Sequence, residues 1–178
     1  MAKQDVNVGL DSQSFSYLLD AISGISEPTD LLALEKKALL RTWFYQSGTF
    51  VLTETVVSEV RRIPKIERRA LHESFIQTLF LDYPVHDLIT VKARAEKFQN
   101  LHSGHSDCRI LAEAEEIKLD TVLTYDYDFW RRLQNASHIT KLMKPSEYWT
   151  SLNIPKGARP KTIPHNTNPL SQQEWWRW

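Results

Sequence analysis

A single cysteine, Cys108, among 178 residues excludes an internal disulfide and any metal site built from several thiolates. It sits on a predicted helix, where a buried thiol is expected rather than a reactive one. Excess charge of either sign is also missing. The chain has 22 basic and 22 acidic residues, so no whole-molecule field draws it to a nucleic acid or a membrane. No apolar run approaches the roughly 18 residues of a membrane span, and the N-terminus lacks a signal peptide's charged-then-apolar profile. The expectation is a reduced, cytoplasmic protein with no membrane partner. No internal repeat occurs. The six histidines show no metal-ligand or catalytic spacing; His102 and His105 lie close to Asp107, where surface or capping roles are expected.

What is present is enough apolar residue, 42%, to build the core of one α/β domain with an appendage. The most informative stretch is HSDCRILAEAEEIKLDTVLTYDYDFWRRL, residues 105–133. Ile110, Leu111, Ala114 and Ile117 recur at helical spacing after Asp107, and the β-branched run Thr121–Thr124 follows as a central parallel strand. Such a unit puts Asp107 at a helix N-terminus and Asp126 just past the C-terminal end of a strand, the edge where open α/β sheets bind ligands.

Upstream, Val6–Leu10 reads as a strand ending at Asp11, and Phe15, Leu18, Leu19 and Ile22 give a helix over Ser12–Ile22. After a break from Gly24 to Thr29, Thr29 or Asp30 can cap a second helix to about Tyr45. A turn at Ser47 and Gly48 leads to a strand at Phe50–Thr53. The run ETVVSEVRR, residues 54–62, is rich in β-branched residues, yet Val56, Val57 and Val60 share one helical face, which predicts a helix. A further helix from Lys65 to about Phe80 presents Ile66, Ala70, Phe75, Ile76 and Leu79 to the core. Pro84–Asp87 reads as a short extended piece, and Thr90 caps a helix through Leu101. His138–Leu142 is a candidate edge strand, and Pro145 opens a helical turn through Trp149. Alternating helices and strands predict a mostly parallel sheet between helices.

From Asn153 the character changes. Four prolines punctuate a polar segment with no apolar period, which carries a net +3 and leaves the preceding body at −3. It ends in EWWRW, and three tryptophans in four residues predict docking on this domain, a second subunit or a ligand, with a homodimer preferred.

Four acids occupy comparable places in successive units: Asp11 after the first strand, Glu59 in the helix after the second, Asp107 at the head of the central helix and Asp126 after TVLT. Singly they read as a helix cap (Asp107), turn residues (Asp11, Asp126) and a solvated charge (Glu59). Together they supply the oxygen ligands that a hard divalent cation takes. For phosphate contacts the chain offers Arg61, Arg62 and Lys65 with Arg68 and Arg69, and Arg131 and Arg132 next to Phe129 and Trp130, where basic residues interleave with aromatics as in single-strand binders.

In VGLDSQSFSYLL, TETVVSEVRR, HSDCRILAEA and TVLTYDYDFWRRL the sequence resembles the PIN-domain nucleases, in order and over roughly residues 5–150. The resemblance implies a three-layer αβα sandwich with a mostly parallel central sheet over residues 1–150, and leaves 151–178 as a C-terminal tail outside the family pattern. By position it carries the acidic quartet onto Asp11, Glu59, Asp107 and Asp126, with Asp11, Asp107 and Asp126 as metal ligands. Ser12 and Thr124 match the small hydroxyl residues beside the quartet, and Asp128 is the rival for the fourth place. It implies Mg²⁺ or Mn²⁺ as cofactor, phosphodiester hydrolysis of RNA by metal-activated water, and often a toxin paired with an antitoxin protein. Two other classes are open: a catalytically silent PIN-like RNA-binding or protein-interaction module, and a phosphatase or phosphotransferase of another doubly wound family using Asp11 as nucleophile. The latter chemistry usually needs a second Asp two residues on, where Gln13 stands.

Overall fold

The apolar runs set the sheet. In a computed structural model, which describes residues 6–23, 26–46, 48–82 and 84–178, five strands form in chain order. They are β1 (Val6–Leu10), β2 (Gly48–Leu52), β3 (Leu81–Asp82), β4 (Thr121–Leu123) and β5 (Lys141–Met143). All pairings are parallel, in the order β3-β2-β1-β4-β5. Val8, Leu10, Val51, Leu52, Val122 and Leu123 are essentially inaccessible to solvent, as expected of parallel strands covered on both faces.

Among the described residues eight α-helices cover this sheet in an αβα arrangement: α1 (Ser12–Ser23), α2 (Ala33–Tyr45), α3 (Glu54–Arg61), α4 (Ile66–Leu79), α5 (Leu88–Gln99), α6 (His105–Glu116), α7 (Tyr127–Leu133) and α8 (Pro145–Ser151). The α/β sandwich and its parallel sheet are as the alternating pattern predicts. Among the described residues no helix is long and apolar enough to cross a membrane. The expected turn at Ser47 and the start of the break at Gly24 lie outside the described residues.

Several local expectations are corrected. Helix α2 begins at Ala33, later than Thr29 or Asp30, because the Asp30 carboxylate accepts from Leu32 N (2.9 Å) and so closes a turn ahead of the helix. The cap of α5 is Asp87, whose carboxylate accepts from Thr90 N (2.9 Å); Thr90 is the donor. The extended piece expected at Pro84–Asp87 is instead a two-residue strand just upstream. Strand β5 starts at Lys141 because Ser137 Oγ accepts from Ile139 N and Thr140 N (3.1 and 2.9 Å), which holds the preceding residues in a turn. On α4, Ile66 (69% exposed) and Ala70 face solvent, the side chain of Leu79 lies outside the described residues, and the buried side chain among those described is His72. His72 meets Phe15 edge-on at 5.6 Å, with Nδ1 2.8 Å from Arg68 O.

Residues 153–178 dock on their own chain, where docking within a homodimer is the sequence-based expectation. Trp176 is wholly buried against Phe44 (ring centroids 4.5 Å) and Tyr45 (6.4 Å). Its indole N–H donates to Leu170 O at 3.1 Å. Trp178 packs edge-on to Trp149 at 5.6 Å and lies under the Arg41 guanidinium. The segment's backbone also closes the end of α2, since Lys161 N and Thr162 N both donate to Phe44 O (2.8 and 3.1 Å). Carbonyls in a helix's last turn have no intrahelical partner, and here a distant segment supplies one.

Candidate active site at the sheet's switch point

Strand order decides where a ligand can sit. From β1 the chain winds outward one way through β2 and β3, then returns to the other side of β1 for β4 and β5. The reversal lies between β1 and β4, and loops leaving neighbouring strands at such a reversal diverge and open a crevice. Asp11 directly follows β1, and Thr124, Tyr125 and Asp126 directly follow β4. The junction is tied by Asp11 N donating to Leu123 O and by Ser14 Oγ donating to the same carbonyl, both at 3.1 Å. Helix α6 leads into β4 and so runs back against the strands, which brings its N-terminal turn, with Asp107, to this same edge.

Asp11 is buried, and its carboxylate accepts from Ser14 N at 2.6 Å and from the Thr124 hydroxyl. Burial pushes its pKa up to about 6, against the lowering effect of those hydrogen bonds, and the charge of Asp107 adds to the rise. Thr124 also accepts from Asp126 N at 3.0 Å, so one hydroxyl links the first and fourth acids. Asp107 is the third residue of α6 and not its cap, which is Gly104. Its pKa is raised, first by burial and then by the charges of Asp126 and Glu59, while His102 works in the opposite direction. Glu59 projects from α3 and accepts from the Ser12 hydroxyl. The four acids from four segments are therefore one electrostatic cluster, with Asp107 coupled to each of the other three.

Among the described residues no three His, Cys, Asp or Glu side chains stand close enough to form a ready-made ligand set. Like charges repel, and each acid rests on a local donor: Asp126, for example, caps α7 by accepting from Phe129 N at 2.9 Å. The donor chemistry still suits a hard cation, since all four side chains offer carboxylate oxygens and their mutual repulsion is what a cation offsets. Asp128 does not join the cluster. It is exposed and paired with Arg131 at 3.0 Å.

Two flanking features differ from expectation. Phe129, offered as a stacking surface, is fully buried, and its ring lies parallel to that of His102 at 6.0 Å. The exposed aromatic beside Asp126 is Tyr127, 59% exposed, with the Lys144 ammonium over it and over Trp130. His102, expected at the surface, is buried with Nε2 2.7 Å from Asp107 Oδ2. Gly104 sits against that contact: a Cβ there would come within 2.5 Å of both His102 Nε2 and Asp107 Oδ2. Of the basic residues expected to contact phosphate, Arg61, Arg62, Lys65 and Arg132 are exposed, and Arg62 lines a cleft that also holds Glu59. Arg68 is paired with Asp20 at 3.1 Å. Cys108 is buried and its thiol is pushed up to about 11 by burial, an inert group as expected.

No protein-family model matches this chain, and no curated protein matches it. The geometry of the site stands by itself as the basis for a function.

His102, Glu113 and Arg109 join the site without having been expected from the sequence. Only Arg109 and Glu113 carried a local signal, their i,i+4 spacing on α6.

Proposed function

We propose that this chain is a metal-dependent endoribonuclease that hydrolyses phosphodiester bonds of single-stranded RNA at the edge where β1 and β4 part. One observation carries the reading: the Thr124 hydroxyl ties Asp11 to the Asp126 backbone at the sheet's switch point, where Asp107 lies within electrostatic reach of Asp11, Asp126 and Glu59. Asp11, Asp107 and Asp126 are the residues that would hold Mg²⁺ or Mn²⁺, which when bound polarises a phosphate and lowers the pKa of water. The remaining chemistry belongs to side chains. Glu59, held by the Ser12 hydroxyl, is the carboxylate that takes the proton from the attacking water. Thr124 fixes Asp11 and the Asp126 backbone relative to each other, so the acids meet the substrate with little reorganisation. Tyr127 offers an exposed ring on which an unpaired base can stack.

The test is cleavage of a labelled single-stranded RNA with Mg²⁺ or Mn²⁺. The reading expects metal-dependent cleavage that Asp107→Asn abolishes, and cleavage at an undiminished rate in excess chelator overturns it. A second reading, a silent RNA-binding or protein-interaction module, is favoured by the lack of a ready-made ligand set among the described residues. Oligonucleotide binding without cleavage at any divalent-ion concentration would identify it. A toxin role with an antitoxin partner belongs to the first reading as a subordinate proposal, tested by co-purification with the product of an adjacent gene. A homodimer is not needed to cover the tryptophans, because the chain's own α2 and α8 do so.

A further inference from the structure

Beside the acidic cluster lies a polar cleft of about 240 Å³ between α3 and the start of α6, lined by Glu54, Thr55, Ser58, Glu59, Arg62, His105, Ser106 and Arg109. Its wall contains an arginine whose position is set from behind. Glu113, completely buried, accepts from Thr55 N (2.9 Å), from Thr55 Oγ1 (2.8 Å) and from Arg109 Nε (2.9 Å). A buried carboxylate is strongly penalised unless it is paired and hydrogen-bonded, and here it is both. It therefore anchors α6 to the start of α3 and fixes one edge of the Arg109 guanidinium. That side chain is still 53% exposed. The anchored edge uses Nε, so the two terminal nitrogens are left to reach a ligand in the cleft.

Opposite stands Arg62, exposed and in no ion pair among the described residues. Two acids share the lining and keep their charge, each held by a neutral donor: Glu54 accepts from Val85 N at 3.1 Å, and Glu59 accepts from Ser12, so the arginines have their charge to offset. Two guanidinium groups, two serine hydroxyls and an imidazole share with these carboxylates a space too small and too polar for an apolar ligand. A planar guanidinium held along one edge is pre-organised to take two oxygens of a tetrahedral anion.

Resting on the ribonuclease reading, we infer that this cleft is a substrate subsite in which Arg109 and Arg62 bind a backbone phosphate of the single strand flanking the bond that is cut. Arg109 is a specificity and affinity residue outside the acidic cluster, and Glu113 is its positioning residue. The subsite recognises a phosphodiester, which RNA and single-stranded DNA share; a preference between them would come from elsewhere in the site.

The experiment measures binding, so that it does not depend on turnover. A fluorescent oligoribonucleotide and the oligodeoxyribonucleotide of the same sequence are titrated into the full chain carrying Asp107→Asn, over a range of salt concentrations. In that background, Arg109→Gln and Arg62→Gln are each expected to weaken binding about 5- to 20-fold, as loss of one charge-assisted contact does. Each should also flatten the slope of log K against log salt by about 0.7, the value for one phosphate contact on a single strand. A purely structural role would leave that slope unchanged. Arg109→Gln strands the Glu113 carboxylate, so Arg109→Gln with Glu113→Gln is run beside it, and circular dichroism checks that both fold. Arg159→Gln, an exposed charge in the C-terminal segment, should leave slope and affinity as they were. Unchanged affinity and slope in both arginine variants, with oligonucleotide still bound, overturns the subsite and leaves the ribonuclease reading intact. An unsubstituted chain that neither binds nor cleaves either strand overturns the ribonuclease reading, and the subsite with it. Binding of the DNA strand alone moves the subsite to a deoxyribonuclease and overturns the RNA assignment.

Discussion

Thr124 donates its hydroxyl to the buried carboxylate of Asp11, across the gap between two strands 113 positions apart in the chain. The same oxygen accepts from Asp126 N. Replacing Thr124 by valine keeps the shape and removes both bonds, leaving a buried carboxylate and a backbone N–H without this partner. A loss of about 1–3 kcal/mol is expected for such unsatisfied groups, read as a lower urea midpoint at unchanged m. Cleavage should fall with it, while Thr124→Ser keeps the hydroxyl and recovers most of both.

Asp11 gives the metal-free protein a pH dependence of known sign. Its folded pKa is about 6 against an ordinary 3.8, because burial disfavours the charged form. The native state therefore holds the proton more tightly than the unfolded chain. The stability this contributes is fully present below about pH 4 and is lost as pH rises through about 6, on the order of 3 kcal/mol in all. In chelator, Asp11→Asn should flatten this part of the stability curve measured between pH 4 and 7. A slope equal to that of the unsubstituted chain would rule out Asp11 as its source.

Asp107→Asn keeps the side chain's shape and removes the charge that couples to the other three acids. Loss of RNA cleavage is expected to exceed the roughly 10- to 100-fold that an outer-shell partner costs. Like-charge repulsion is relieved at the same time. The melting temperature in chelator should thus stay level or rise, the opposite of what a core defect produces.

Gly104→Ala probes the contact between His102 and Asp107. The added methyl would lie 2.5 Å from both contacting atoms, which are side-chain ends and can move aside. The fold should survive, and cleavage should drop about 10- to 100-fold as Asp107 loses its orientation. Isothermal titration with Mn²⁺ should show weaker binding in step; equal binding and equal rates would show that the contact is dispensable.

Trp176 has no exposed surface, so Trp176→Ala is expected to cost about 3–5 kcal/mol. Trp178, 37% exposed, should cost less. Light scattering is the decisive companion: the oligomeric state should be the same with residues 153–178 present or removed, because the tryptophans are covered by Phe44, Tyr45 and Trp149 of their own chain.

What could be seen in the sequence was what is written locally. Asp11 and Thr124 are legible because each ends a short β-branched or apolar run, and strand ends of a parallel sheet share one edge. Val56 and Val60 on one face overrode β propensity in α3 and are buried there. Other features depend on residues far away. Glu113 is anchored by Thr55, 58 positions upstream, and no periodicity announces that pairing. His102 is buried because Phe129 covers it, so its nearness to Asp107 in sequence says nothing about its surroundings. On α4 an apolar count pointed to Ile66 where the packed position is His72, since a histidine with both ring nitrogens near polar partners tolerates burial better than its polarity suggests. Asp126 and Asp128 both fit a turn, and what separates them is the Thr124 hydroxyl, which binds Asp126 N and Asp11 while Asp128 pairs with Arg131.

The bond from Trp178 N to the Tyr45 hydroxyl, 2.9 Å across 133 positions, has a meaning for the order in which the molecule is made. Helix α2 emerges early from the ribosome with its last turn open and a patch around Phe44 bare. The segment that closes both is synthesised only after every strand of the sheet has been laid down. Until then the nascent chain carries an exposed aromatic surface, the kind of transiently bare patch that chaperones cover.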